Sequence, residues 1–195
     1  MDVIPLLLSL PTLVFNRKVM ETIKKRLDAA STKLRLLEIA DARERVTQDL
    51  QTKDVFTYEF CVVPTNYYDV SLEERSKILK ANDISQLCKT IVFENMNYKR
   101  SNSEDFVNEY DDITNSRYYC VLVQYSAKID TELVAKIIIN LRQPGKNRLG
   151  MSNFNFQLAP EAISDKLTGF IHNGVCPYAM KTSLPIIVCR HALEV

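Results

Sequence analysis

Cys88-Lys-Thr-Ile-Val-Phe93 and Tyr118-Tyr-Cys-Val-Leu-Val-Gln-Tyr125 are the two runs that decide the fold. Both are dense in β-branched and aromatic residues, which fit a pleated, half-buried surface, so each is read as a strand. Around them lie helical patterns. Asp130 can cap a helix whose Leu133, Val134, Ile137, Ile138 and Leu141 make one apolar face, ending near Pro144-Gly145. Phe154 to Leu158 is a further short strand. Pro160 opens a helix that Gly169 closes. Leu184 to Cys189 is the last strand, held to an edge or a strand start by Pro185. Strands interleaved with short helices predict an α/β (α+β) domain: a curled mixed β-sheet, barrel-like at its core, with flanking helices.

Upstream, Asn16 to Ile39 carries Val19, Met20, Ile23, Leu27 and Ala30 at helical spacing. Ser31-Thr32 is expected to divide it into two helices, because both residues favour caps. Asp41 to Asp54 is highly charged and reads as a turn or a solvated helix face. Tyr58 to Val63 (YEFCVV) reads as a strand. Ser71-Leu-Glu-Glu74 is a capping box opening a helix from Leu72 to about Lys80. The acidic stretch from Ser101 to Ser116 reads as a solvated loop.

The 195 residues suffice for one good-sized domain. Hydrophobic residues make up 46% and charged residues 25%, which excludes disordered and fibrous classes. A net charge of +1 gives no global pull toward a polyanion, so any such site must come from local clustering. The four glycines fit no phosphate-binding loop motif. Five widely spaced cysteines and two histidines form no metal-ligand pattern, so neither a metal nor a cofactor is expected. Cysteines inside apolar runs point to a reducing compartment. The apolar segment Met1 to Phe15 lacks a basic start and a cleavage site and is too short to span a bilayer. It reads as packing on the domain or on a partner.

Three candidate sites emerge from the residues. Gly169-Phe-Ile-His-Asn-Gly-Val-Cys-Pro177 is a loop of two glycines and a proline around His172-Asn173. Such a loop can aim backbone N–H groups at an anion or a polarised carbonyl, or simply connect helix to strand. Lys89, at the head of an apolar run, suits a phosphate in a cleft or a strand edge. Arg142, Lys146 and Arg148 cluster around Pro144-Gly145, as phosphate contacts or as a solvated turn. Cys176, four residues from His172, is a possible thiol nucleophile or an inert thiol.

Ser31-Thr-Lys-Leu-Arg-Leu36, Leu87-Cys-Lys-Thr-Ile-Val-Phe93, Leu158-Ala-Pro-Glu161, Leu167-Thr-Gly-Phe170, His172-Asn-Gly-Val-Cys-Pro177, Met180-Lys-Thr182 and Leu184-Pro-Ile-Ile-Val188 stand in an order that resembles the YbaK / prolyl-tRNA-synthetase-associated editing domain superfamily. The Tyr67-Tyr68-Asp69 to Glu74 segment and the longer N-terminal helix resemble its eukaryotic branch. The resemblance divides the chain into an N-terminal segment and helix, 1–30, suited to partner docking, and an editing domain, 31–195. It implies a cytoplasmic aminoacyl-tRNA deacylase that hydrolyses the ester of a mischarged tRNA without a metal, Ala-, Ser- or Cys-tRNA(Pro) being the first candidates. Its partners would be the aminoacylated tRNA 3′ end and a synthetase or synthetase complex, with no membrane. The alternative is a non-catalytic tRNA-binding or synthetase-complex subunit of the same fold. The family's functional lysine falls on Lys89, with Thr90 beside the substrate. Its GxxxP loop falls on Asn173, Gly174, Val175, Cys176 and Pro177, flanked by Gly169 and His172. Asn173 stands where the family has glycine, and Gly174 is expected at positive φ. Arg142, Lys146 and Arg148 are the expected tRNA contacts.

Overall fold

A computed structural model describes residues 17–99, 112–142, 148–171 and 173–193. The segment Met1 to Phe15, most of the acidic loop, Lys146 and His172 lie outside them. The described chain falls into two compact units, one reaching Glu44 and the other running from Arg45 onward.

The first unit is helical. Helix α1, Arg17–Thr52, is one continuous element of 36 residues, 17–44 of it in this unit. The expected break at Ser31-Thr32 does not occur. Thr32 Oγ1 donates to the Asp28 carbonyl at 2.9 Å, as Thr22 does to Lys18 at 2.8 Å. A hydroxyl that bonds back one turn sits inside a helix without ending it. Val19, Met20, Ile23 and Leu27 do share a face, and that face is exposed, Leu27 at 67%.

The second unit is built on an open four-stranded mixed sheet of order β3-β1-β2-β4. Strands β1 (Cys88–Asn95) and β2 (Tyr118–Gln124) pair antiparallel at its centre, Lys89 opposite Val123. Strand β3 (Phe156–Leu158) adds antiparallel to β1, and β4 (Ile186–Val188) adds parallel to β2. Pro185 lies just before edge strand β4, where its missing N–H costs nothing and its carbonyl accepts from Cys120 N at 2.9 Å. Val92, Cys120, Val121, Val123 and Leu184 are buried. Asn95 holds β1 to the approach to β3. Its Nδ2 donates to Asn153 O at 2.9 Å and its Oδ1 accepts from Asn155 N at 2.9 Å. Tyr119 is 1% exposed, and its hydroxyl, pushed up to about 12 by burial, accepts from Ser116 N at 3.0 Å.

Three helices follow the expected caps. Ser71 Oγ accepts from Glu74 N at 3.3 Å to start α2 (Leu72–Ile78). Asp130 Oδ1 accepts from Glu132 N and Leu133 N, both at 3.0 Å, to start α3 (Thr131–Leu141). Helix α4 (Glu161–Thr168) starts after Pro160 and ends in Gly169 at φ 71°, whose N–H reaches Asp165 O at 2.8 Å. The left-handed φ strains any side chain at Gly169, and a β-carbon there, 2.7 Å from Lys181 Cγ, would also force that lysine side chain to move.

Two expectations fail here. YEFCVV forms no strand: Tyr58 and Val62 are exposed, and Tyr58 and Phe60 pack edge to face at 5.4 Å. Strand composition expresses fit to a sheet surface, and this run has no strand beside it. Helix α3 buries Ala135 and Ile138, whereas Leu133, Ile137 and Leu141 point outward. The helix carries two apolar stripes, and docking selected the one through Ala135.

Candidate functional site

The last two turns of α1, read from sequence as solvated, are the anchor of the loop after α4. Val46 and Leu50 are buried. Just before them in the chain, Arg45 forks its guanidinium: Nη1 donates to Ala179 O and Nη2 to Gly169 O, each at 2.8 Å. Its Cζ lies 4.7 Å from the Phe170 ring centroid. Asp49 Oδ2 accepts from Ala179 N at 2.9 Å. The side chain of Asp49 also pairs with Lys53, and that hydrogen bond is the main cause holding its carboxyl below the usual range. One helix thus grips both ends of the Gly169–Ala179 loop, through backbone groups.

Within the loop, Asn173 has φ 66° and Ala179 φ 55°. The positive φ expected at Gly174 belongs to Asn173. At Gly174 the constraint is space: a β-carbon there would sit tightly, 3.3 Å from the Ile171 carbonyl oxygen, and the loop would have to give by a few tenths of an ångström. The Gly174 amide is committed as well, donating to that carbonyl at 2.9 Å, so it is not among the N–H groups the loop can present. Among the described residues no acceptor meets the Val175 amide. Asn173→Gly is therefore expected to fold with an unchanged melting temperature. Asn173→Val should lose about 1–2 kcal/mol, because a β-branched residue resists the left-handed region; thermal melts of the two variants check this.

β1 and this loop meet across a cavity of about 600 Å³. Lys89 and Thr90 line it from β1, Asn173, Gly174 and Val175 from the loop, and Asp165 from α4. Lys89 Nζ lies 5.7 Å from the Tyr125 ring centroid, on whose face a cation is attracted. The structure thus brings together Lys89, Thr90, Asn173, Gly174 and Val175. Gly169, Cys176 and Pro177 belong to the loop but not to the cavity wall. Burial pushes the Cys176 thiol up, which disfavours the thiolate a nucleophile needs. Arg142 is held in the fold: Nη1 donates at 2.8 Å to both Asp112 Oδ2 and Thr114 Oγ1, with the guanidinium side chain 11% exposed. Arg148 is exposed. Among the described residues no three His, Cys, Asp or Glu side chains converge to hold a metal, and no helix is long and apolar enough to cross a membrane.

Sequence reading missed Tyr68 and Asp165. Tyr68 lines the cavity and its hydroxyl donates to the Asn173 carbonyl. Burial pushes that phenol up, so it stays a donor. Arg75 fixes the tyrosine from behind. Its Nη2 donates to Tyr68 O at 2.6 Å, and its Cζ lies 5.3 to 5.4 Å from the rings of Tyr67, Tyr68 and Tyr125. The signal was available in the Tyr67-Tyr68 pair before the Ser71 cap. Tyr68→Phe is expected to leave the fold intact and to loosen the loop, seen as faster amide hydrogen exchange at Gly174 and Val175.

The fold is shared with solved structures. A proposed trans-editing enzyme for prolyl tRNA synthetase superposes with a TM-score of 0.54 at 18% identity, over 78% of this chain and 74% of that one. A scaffold protein used for computational epitope grafting gives 0.52 at 16% identity, over 78% and 74%. A hypothetical protein gives 0.51 at 15% identity, over 77% of each chain. No protein-family profile and no curated protein sequence matches the chain. At these identities the likeness defines a fold class, a mixed α/β fold shared with these structures, in which the cavity above is embedded.

Proposed function

We propose that the chain is an aminoacyl-tRNA deacylase that hydrolyses the ester of a mischarged tRNA. The observation that carries this reading is the meeting of Lys89 and Thr90 with Asn173, Gly174 and Val175 around one cavity. In this reading the Lys89 ammonium takes the terminal phosphate of the tRNA and fixes the ester beside the loop. The Val175 amide faces the ester carbonyl, where it stabilises the oxyanion that forms as water attacks. The carbonyl carbon gains a bond to water oxygen, its bond to the ribose oxygen breaks, and the ribose hydroxyl leaves with a proton. Metal plays no part, and the enzyme works in the cytoplasm on tRNA alone or within a synthetase complex. Arg148 and Lys146 remain the tRNA contacts of this proposal, whereas the Arg142 guanidinium is engaged by Asp112 and Thr114.

The amino acid is not written in the cavity, since one methylene is worth only about 1–3 kcal/mol of discrimination. A deacylation screen with Ala-, Ser- and Cys-tRNA(Pro), run with chelator and reductant present, tests the reading. Hydrolysis of at least one above the rate in buffer is expected; no acceleration of any mischarged tRNA would refute it.

A further inference from the structure

The cavity has opposite charge on two of its walls. Lys89 stands on β1, and Asp165, near the middle of α4, lines the same space. Asp165 is part-buried, but its Oδ1 is shut off from solvent and has no hydrogen-bond partner among the described residues. A carboxylate oxygen removed from water and given no donor is costly, and a fold keeps one where something else supplies the donor. Lys89 does not serve, since no ion pair joins it to Asp165. Main-chain groups do not serve either: among the described residues no backbone amide donates to Oδ1. Asp165 lines the cavity, so a ligand cation small enough to enter beside the Asn173 loop meets its carboxylate.

We propose that Asp165 binds the α-ammonium of the aminoacyl group. This rests on the deacylase reading, in which Lys89 takes the phosphate. An aminoacyl ester carries an anion at the tRNA end and a cation at the amino acid, with the scissile carbonyl between them. The cavity offers a cation, an amide-bearing loop and a carboxylate for those three parts. A consequence follows for substrate class. An ester whose amine is acylated has no positive charge for Asp165 and leaves the buried oxygen still unpaired. The site therefore accepts aminoacyl-tRNA and rejects N-blocked species such as peptidyl-tRNA.

The probes are two non-hydrolysable adenosine 5′-phosphates carrying alanine in amide linkage at the 3′ position, one with a free amine and one N-acetylated. Calorimetry on the full chain should show the free amine preferred by about 10- to 100-fold, the range for a hydrogen bond to a charged group. Asp165→Asn should bring that ratio close to one. Its melting temperature should equal or exceed that of the parent, since the substitution removes a part-buried carboxylate whose Oδ1 has no partner; a structural role would lower it. An undiminished preference in Asp165→Asn, or equal binding of both probes by the parent, overturns this assignment while leaving the deacylase reading standing. Failure of the parent to bind either probe, with no deacylation, overturns both.

Discussion

Lys89→Ala should lower single-turnover deacylation by about 10²-fold while the melting temperature stays unchanged. The lysine is on a central strand paired through Val123, so its backbone is fixed by the sheet. Its ammonium lies 5.7 Å from the Tyr125 ring and lines the cavity. Removing the side chain leaves the β1–β2 ladder untouched but deletes the cation that would hold the phosphate. An ester misplaced by about 1 Å loses roughly two orders of magnitude in rate. Lys89→Arg should recover part of it, as a guanidinium binds phosphate but needs more room. Unchanged turnover in Lys89→Ala at saturating tRNA would remove the lysine from the site.

Arg45→Ala should cost both stability and activity. The guanidinium donates to Gly169 O and Ala179 O, each at 2.8 Å, and lies over Phe170. A hydrogen bond from a charged donor contributes about 1.5–3 kcal/mol, and two sharing one side chain are not additive. We expect a loss of about 3 kcal/mol, or a fall in melting temperature of about 6–12 °C for a domain of this size. Turnover should fall as well, because the loop bearing Asn173, Gly174 and Val175 is released at both ends. Arg45→Lys keeps the charge but cannot fork, and should fall between the two. A melt within 1–2 °C of the parent for Arg45→Ala would show that the clamp is dispensable.

What was legible in the sequence was local. Runs such as TIVF and YCVLV pack as strands because their branching suits a buried sheet. Ser71, Asp130 and Gly169 act within one turn of helix, so their spacing alone locates the ends of α2, α3 and α4. Lys89 and the Asn173 loop were found through resemblance, and their meeting in one cavity is a matter of tertiary structure. The misses are non-local. Arg45 and Asp49 look like ordinary helix-surface charges until Gly169 and Ala179 arrive more than 120 residues later. The YEFCVV run has the composition of a strand, but no neighbour offers it a ladder. The orphaned oxygen of Asp165 is visible only when the donors of the described residues have been placed. Asn173 illustrates the intermediate case. Its tolerance of positive φ was readable, yet assigning that dihedral to Asn173 rather than to Gly174 required the backbone.

The most direct test of the account is single-turnover hydrolysis of whichever mischarged tRNA the screen selects, measured beside correctly charged Pro-tRNA(Pro) with enzyme in excess. The account predicts rapid release of the wrong amino acid, loss of that release in Lys89→Ala, and slow hydrolysis of the correct ester. Equal rates for parent, Lys89→Ala and buffer on the mischarged tRNA would contradict it.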